Sequence, residues 1–186
     1  MAMVITIVTS NLFFALLLLY YIDSVTQNVS AERINGTPQN DNLTGTPEND
    51  RIIGSGGNDT LIGLAGIDEL DGGSGIDTVE GSENDDYLIG GSQDDVIRGD
   101  LGDDEAEGND GDDYISGGPG NDSLFGGRGR DNINGDDGND NVFGGSGDDI
   151  LSGGKGKDYF NCGLGKDKAA DFNGAEGDGR SNNCES

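Results

Sequence analysis

The chain repeats a nine-residue unit fifteen times in unbroken register from residue 36 to residue 170. Each unit has an aspartate at its sixth position, an apolar residue at its eighth and a glycine at its first, where Cys162 is the single exception. A short repeat sustained over this length is typical of a solenoid, in which each unit buries its apolar face only by stacking on its neighbours.

Two residue series define the repeat. The aspartates of the sixth position are Asp41, Asp50, Asp59, Asp68, Asp77, Asp86, Asp95, Asp104, Asp113, Asp122, Asp131, Asp140, Asp149, Asp158 and Asp167. The apolar residues of the eighth position are Leu43, Ile52, Leu61, Leu70, Val79, Leu88, Ile97, Ala106, Ile115, Leu124, Ile133, Val142, Leu151, Phe160 and Ala169.

The spacing of these residues predicts an all-β solenoid. Six residues rich in glycine and aspartate favour a turn, and the remaining three are long enough for a short strand whose central side chain points inward. Two repeats then form one flattened coil of eighteen residues, and the repeats make about 7.5 such coils. Turns two repeats apart lie about 4.8 Å from each other, so their aspartates stack in two columns.

The charge of the chain predicts a cation in these columns. The chain has 37 acidic and 10 basic residues, a net charge of −27, and no histidine. Carboxylates stacked this closely repel each other by several kcal/mol per pair at an effective dielectric constant of about 20. Oxygen ligands in a flexible arrangement favour Ca²⁺ over Mg²⁺, and the lack of histidine counts against zinc or copper. About thirteen gaps between stacked turns predict roughly eight to thirteen Ca²⁺ ions, and an acidic chain is not expected to bind nucleic acid.

The fifteen repeats closely resemble the nonapeptides of the RTX (hemolysin-type) calcium-binding repeat family. Five turns show the full Gly-Gly-x-Gly-x-Asp form, for example residues 117–122 and 144–149. The resemblance implies a right-handed parallel β-roll with Ca²⁺ between its turns. It also implies that the fifteen aspartates of the sixth position, together with backbone carbonyls, are the metal ligands.

The amino-terminal residues indicate export. Residues 12–22 form an unbroken apolar run, and Val29-Ser30-Ala31 offers small residues for cleavage after Ala31. We therefore expect a signal peptide over residues 1–31, or alternatively an uncleaved helical membrane anchor over residues 4–22. Either reading predicts a secreted or cell-surface protein, which contacts the membrane only if this segment is retained. Residues 32–35 read as a short link to the repeat domain of residues 36–170.

The first two repeats differ from the others and are predicted to form a cap. Their turns, residues 36–41 and 45–50, contain Thr-Pro in place of the second and third residues of the glycine-rich turn. The glycine of the fourth position is replaced in four repeats, by Gln39, Glu48, Asn84 and Gln93. Of these residue types, only asparagine readily adopts a positive φ.

Residues 171–186 follow the last repeat and are predicted to be a carboxy-terminal cap. The chain has two cysteines, Cys162 and Cys184, and a disulfide between them would fold the tail over the open end of the roll. The alternative is a pair of free thiols in an intracellular protein.

Three aromatic residues are predicted to lie on one outer sheet face. Phe125 and Phe143 occupy the same position two repeats apart, and Tyr159 lies one coil further. Such a patch either binds a partner, such as a component of the cell envelope, or is covered by the tail that contains Phe172.

These features favour an exported, calcium-dependent structural or surface-interaction module that is not an enzyme. One alternative is a solenoid enzyme that acts on polysaccharide through paired carboxylates. Another is a soluble calcium reservoir without a partner. The absence of histidine excludes Ser-His-Asp and histidine-zinc chemistry.

Overall fold

The computed structural model describes residues 31–174, 177–181 and 183–184. These residues form two parallel sheets that the chain visits alternately. In spatial order, one sheet contains β1 (Arg33–Asn35), β3 (Arg51–Gly56), β5 (Glu69–Ser74), β7 (Tyr87–Ser92), β9 (Glu105–Asp110), β11 (Ser123–Arg128), β13 (Asn141–Ser146), β15 (Tyr159–Leu164) and β17 (Gly179–Arg180). The other contains β2 (Asn42–Thr44), β4 (Thr60–Ala65), β6 (Thr78–Glu83), β8 (Val96–Leu101), β10 (Tyr114–Pro119), β12 (Asn132–Asp137), β14 (Ile150–Ser152) and β16 (Lys168–Ala169).

The strand register confirms the coil of two repeats. Ile52 pairs with Leu70 and Leu61 pairs with Val79, so each residue lies beside the residue eighteen positions further on. The predicted parallel β-solenoid is therefore confirmed, with about eight turns. No α-helix that could span a bilayer occurs among the described residues. The expected signal peptide or anchor falls outside them.

The core is a stack of single apolar side chains from the eighth position of each repeat. From Ile52 to Phe160 every one of these side chains is fully buried. Leu43 and Ile34, at the open amino-terminal end, are only partly buried. The core is therefore continuous along the roll and weakest where the first coil has no neighbour.

Most strands are twice as long as expected. They span six residues, because the first three residues of each following turn also pair with the next coil, as Ser55 does with Gly73. Those residues read as a turn in the sequence because they are rich in glycine. Several of them do have positive φ, for example 83° at Ser55 and 89° at Leu64, yet their backbones remain in the ladder.

The segment expected to be a link contributes to the roll. Arg33–Asn35 is β1, and it pairs in register with Arg51–Ile53 of β3. The Arg51 amide also donates to the Glu32 carbonyl oxygen at 2.9 Å. The solenoid thus begins before the first glycine of the repeat, with Glu32 standing where each later repeat has its aspartate.

The predicted disulfide is confirmed, since Cys162 and Cys184 are bonded with an S–S distance of 2.05 Å. Residues of the tail pack over the last coil, where Phe172 meets the ring of Phe160 with centroids 6.3 Å apart. The Arg180 guanidinium lies over the Phe172 ring, 4.5 Å from its centroid. The tail therefore shields the end of the core from water.

The tail that contains Phe172 lies beside the outer aromatic patch at Tyr159, which pairs with Gly179, while the Phe172 ring packs elsewhere. Phe125 and Phe143 stack with centroids 4.7 Å apart, and Tyr159 meets Phe143 edge-on at 6.3 Å. Phe172 instead packs at the end of the roll, because the last large core side chain, Phe160, would otherwise face solvent.

Candidate metal centre

The sixth-position aspartates form two buried columns, one beside each sheet. Asp50 and all the later ones are between 0 and 4 % exposed. Asp41, in the first turn, is half-buried. A carboxylate this far from water requires hydrogen bonds or a counter-charge.

From Asp50 onward, one oxygen of each carboxylate accepts a hydrogen bond from the backbone of the preceding coil. The Asp86 amide donates to Asp104 Oδ1 at 2.8 Å, and the Asp104 amide donates to Asp122 Oδ1 at the same distance. The pattern begins at Glu32, whose amide donates to Asp50 Oδ1, and ends at Asp158, whose amide donates to Asp178 Oδ1. The aspartate therefore links consecutive coils of the roll in addition to carrying a charge.

The second oxygen of most of these carboxylates has no partner. Among the described residues, twelve buried Oδ2 atoms accept no hydrogen bond. They belong to Asp59, Asp68, Asp77, Asp86, Asp95, Asp104, Asp113, Asp122, Asp131, Asp140, Asp149 and Asp167. A buried polar atom without a partner costs about 1 to 3 kcal/mol, and more when it is charged. Twelve such atoms are therefore costly to the fold unless a counter-charge or a hydrogen-bond donor contacts them.

The pKa values of the inner carboxyls reflect this environment. Burial, reinforced by the neighbouring carboxylates, raises the pKa of Asp86, Asp95, Asp122 and Asp131 to about 7. The same causes raise the pKa to about 6 for Asp104, Asp113 and Asp140. Burial also raises the pKa of Asp68, Asp77 and Asp149. Without a counter-charge, these inner carboxyls therefore take up protons at a higher pH than an ordinary aspartate does.

The first glycine of each repeat makes room for Oδ2, the oxygen without a hydrogen-bond partner, which we call the orphaned oxygen. A Cβ placed on Gly72 would lie 2.6 Å from Asp77 Oδ2 and 2.7 Å from the carbonyl oxygen of Gly90, one coil further on. Both distances are too short for any side chain. The glycine therefore lets a carboxylate oxygen and a carbonyl oxygen of the next coil approach the same gap.

The chemistry of this donor set fits a hard cation. No group of three or more His, Cys, Asp or Glu side chains converges on one point in the described part of the chain. Side chains alone therefore do not make a metal site, and backbone carbonyls would have to supply the remaining ligands. Ca²⁺ readily accepts mixed carboxylate and carbonyl oxygens in variable number, whereas Mg²⁺ requires near-octahedral geometry.

The two leading turns, residues 36–41 and 45–50, are built differently. Asp41 Oδ2 accepts hydrogen bonds from the amide and the hydroxyl of Thr37, at 2.6 and 2.8 Å. Asp50 Oδ2 accepts the same pair from Thr46, at 2.5 and 2.9 Å. The sequence distinguishes these turns by Thr-Pro and by Gln39 or Glu48 at the fourth position, but it does not show that each threonine supplies two donors to its own aspartate.

A second ladder of hydrogen bonds runs along the exposed side of each column, and the sequence analysis did not predict it. The Asp103 amide donates to Asp85 Oδ1 at 2.9 Å, and the Asn121 amide donates to Asp103 Oδ1 at 2.7 Å. These residues occupy the fifth position of the repeat, where asparagine and aspartate recur. This recurrence is visible in the sequence, but asparagine and aspartate are so common in turns that it indicated only a turn.

The comparisons agree with this geometry. The family model described as RTX calcium-binding nonapeptide repeat (4 copies) matches residues 35–70, 71–106, 98–133, 107–142 and 134–169. The curated proteins contain no match to the chain. Since the family matches together span nearly the whole roll, this chain belongs to the family of RTX calcium-binding nonapeptide repeat proteins.

Proposed function

We propose that this protein is an exported calcium-binding module whose β-roll folds when Ca²⁺ binds between its stacked turns. The observation that carries the proposal is the double column of buried carboxylates with twelve orphaned Oδ2 atoms. In this proposal the fifteen aspartates of the sixth position, from Asp41 to Asp167, are the candidate ligands, and bound Ca²⁺ supplies the missing positive charge.

The chain's own residues explain why folding and binding would be coupled. From Asp50 onward, each column aspartate accepts an amide of the coil before it, so that stacking two coils brings two carboxylates together. The chain carries a net charge of −27, and repulsion along the columns opposes closure of the roll. A ligand that binds only the folded form shifts the equilibrium towards that form by mass action.

The disulfide supports an extracellular role. The Cys162–Cys184 bond closes the end of the roll, and disulfides persist in oxidising compartments. Extracellular calcium modules typically bind at about 10⁻⁴ to 10⁻³ M, the range in which external Ca²⁺ would keep this chain folded.

The stacked Phe125 and Phe143 favour a surface-interaction module over a calcium reservoir. Their side chains remain half-buried on the outer face and are not covered by Phe172. If the proposal holds, cell-envelope preparations retain the chain in Ca²⁺ but not in chelator, and Phe125→Ser/Phe143→Ser weakens retention. Equal retention of the variant would favour the reservoir.

Far-ultraviolet circular dichroism of the full chain tests the folding proposal. We expect a largely unfolded spectrum in chelator and a β-rich spectrum after addition of millimolar Ca²⁺. Mg²⁺ at the same concentration is the control and should induce far less structure. A chain that is already folded in chelator at pH 8 would contradict the proposal.

A further inference from the structure

In the two leading turns, hydrogen-bond donors of the same turn satisfy the carboxylate of the sixth-position aspartate. Thr37 and Thr46 each direct an amide and a hydroxyl at Oδ2 of the aspartate four residues later. In the inner turns that begin at Gly54, the equivalent oxygens of Asp59 and Asp68 accept no hydrogen bond. The same atom is therefore satisfied in one part of the roll and orphaned in the next.

The backbone of the leading turns explains this contrast. In inner turns the second residue often has a positive φ, such as 83° at Ser55 and 100° at Gly73. Neither Thr37 nor Thr46 has a positive φ, a conformation that β-branched residues strongly disfavour. The threonine thus holds its turn in a different conformation, in which its amide points to the carboxylate.

The hydroxyl completes the arrangement. Thr46 Oγ1 donates to Asp50 Oδ2 at 2.9 Å and accepts the Glu48 amide at 3.3 Å. Asp50 Oδ1 accepts the Glu32 amide, so this carboxylate accepts three hydrogen bonds in all. Two or three hydrogen bonds of this kind stabilise a carboxylate in its charged form without a counter-ion.

Proline is not the cause of the difference. Pro119 follows Gly118 in an inner turn, just as Pro47 follows Thr46. Gly118 has a φ of 117°, and Asp122 Oδ2 in that turn is orphaned. A Gly-Pro turn therefore behaves like the other inner turns. The turns in which Asn84 and Gln93 replace the fourth-position glycine also leave Oδ2 of Asp86 and Asp95 without a donor, so the threonine is the determining residue.

The oxygen that Thr46 occupies borders the gap to the next coil. A Cβ on Gly45 would lie 2.6 Å from both Asp50 Oδ2 and the carbonyl oxygen of Gly63. This is the arrangement seen at Gly72 in an inner turn, where the carboxylate oxygen has no donor. The threonine donors therefore satisfy the oxygen that an inner turn presents to a cation.

We infer that Thr37 and Thr46 replace a cation in the two leading turns, so that these turns close without Ca²⁺ and ions fill only the gaps further along the roll. The inference rests on the proposed function, because it assigns which of the stacked gaps bind. Of about thirteen gaps, two begin at leading turns, which leaves about eleven for Ca²⁺. The leading turns then form an ion-independent cap on which the first ion-filled coil stacks.

A reciprocal exchange at the two proline-containing turns tests this inference by native mass spectrometry of the full chain in Ca²⁺. Thr46→Gly gives this turn the Gly-Pro sequence of residues 118–119, and we expect about one more bound ion than in the unaltered chain. Gly118→Thr should bind about one ion fewer. Ser55→Gly changes the same position in a turn whose Asp59 oxygen is already orphaned, and it should leave the number unchanged.

The outcomes separate this inference from the proposed function. An unaltered chain that binds many ions, together with Thr46→Gly that binds no more, would overturn the role of the threonine. An unaltered chain that binds no Ca²⁺ would overturn the proposed function itself. A Cβ on Gly118 collides with the Asp100 carbonyl oxygen in the present turn, so Thr46→Gly decides the question if Gly118→Thr does not fold.

Discussion

The leading turns and the inner turns solve one electrostatic problem in two ways. Both place a carboxylate inside the roll and use its Oδ1 to hold the preceding coil. In the leading turns a threonine satisfies Oδ2, whereas in twelve of the inner turns this atom accepts no hydrogen bond. The difference teaches that the sixth-position aspartate does not by itself define an ion site, because the residue four positions earlier decides whether its second oxygen is free.

The opposite end of the roll supports this reading. Asp178 in the tail accepts the Asp158 amide with Oδ1, as the next aspartate of the column would. Its Oδ2 accepts the Asn173 amide at 2.8 Å. At this end, as in the leading turns, a donor from the local backbone satisfies the carboxylate, while the orphaned oxygens lie between.

The largest difference between the two regions should appear in the core. Leu124→Ala removes a fully buried side chain and should lower the free energy of unfolding by about 2 to 5 kcal/mol. Leu43→Ala, at the open end where the side chain is only partly buried, should cost clearly less. Urea unfolding in saturating Ca²⁺ measures both values. Equal losses would show that the first coil is as tightly packed as the middle of the roll.

Neutralising one carboxylate in each region tests the ion assignment. Asp104→Asn should lower the number of bound ions by one or two and shift calcium-induced folding to a higher Ca²⁺ concentration, because an inner carboxylate faces two gaps. Asp50→Asn should leave the number unchanged and cost about 1 to 3 kcal/mol through its lost hydrogen bonds. Calorimetric titration with Ca²⁺ distinguishes the two. Loss of the same number of ions from both variants would remove the distinction between the regions.

The inner columns should also make the ion-free chain sensitive to pH. The raised pKa values of carboxyls such as Asp86 and Asp122 mean that the folded state binds protons more tightly than the unfolded state. This contribution to stability is fully present below the ordinary pKa of about 4 and is lost as pH rises through about 7. In chelator, circular dichroism should therefore show β-structure increasing as pH falls from 8 to 5.

The control for this pH effect is Asp86→Asn/Asp122→Asn, which removes two of the titrating groups. The variant should gain less structure than the unaltered chain over the same pH range. An ion-free chain whose fold is insensitive to pH would contradict the assignment of raised pKa values to the inner columns.

Surface ion pairs should give the smallest effects and should not differ between the regions. Arg51 meets Glu69 at 2.8 Å near the first coils, and Arg128 meets Asp110 at 3.2 Å further along, all with largely exposed side chains. Arg51→Ala and Arg128→Ala should each change the free energy of unfolding by less than about 1 kcal/mol. Thermal unfolding in Ca²⁺ measures this. A larger loss in one region would mean that surface charge contributes to the contrast.

Much of the fold was predictable because the repeat has one strict period. An apolar residue at every ninth position, such as Leu61 and Leu70, predicts two sheets and an eighteen-residue coil, and the register confirms both. The position of Cys162 in the last turn likewise predicted the disulfide that closes the end. The sheets and the coil follow from spacing, which a sequence shows directly, and the disulfide prediction rested on the presence of two cysteines in a chain expected to be exported.

The details that spacing does not determine were missed. Gln93 has a φ of 78°, although glutamine disfavours this conformation, because its amide donates to the Asp110 carbonyl oxygen of the next coil at 2.7 Å. Thr46 meets Asp50 only because its turn avoids positive φ, which depends on backbone geometry rather than on composition. Contacts between coils thus override local preferences that would be decisive in an isolated turn.

Anomalous scattering from crystals of the full chain grown with Ca²⁺ tests the central claim most directly. We expect two lines of ions along the aspartate columns, one ion in each gap, beginning at the gaps that start from Asp59 and Asp68 and absent beside Thr37 and Thr46. Only two or three ions, or ions scattered over the outer strands away from the columns, would contradict the account.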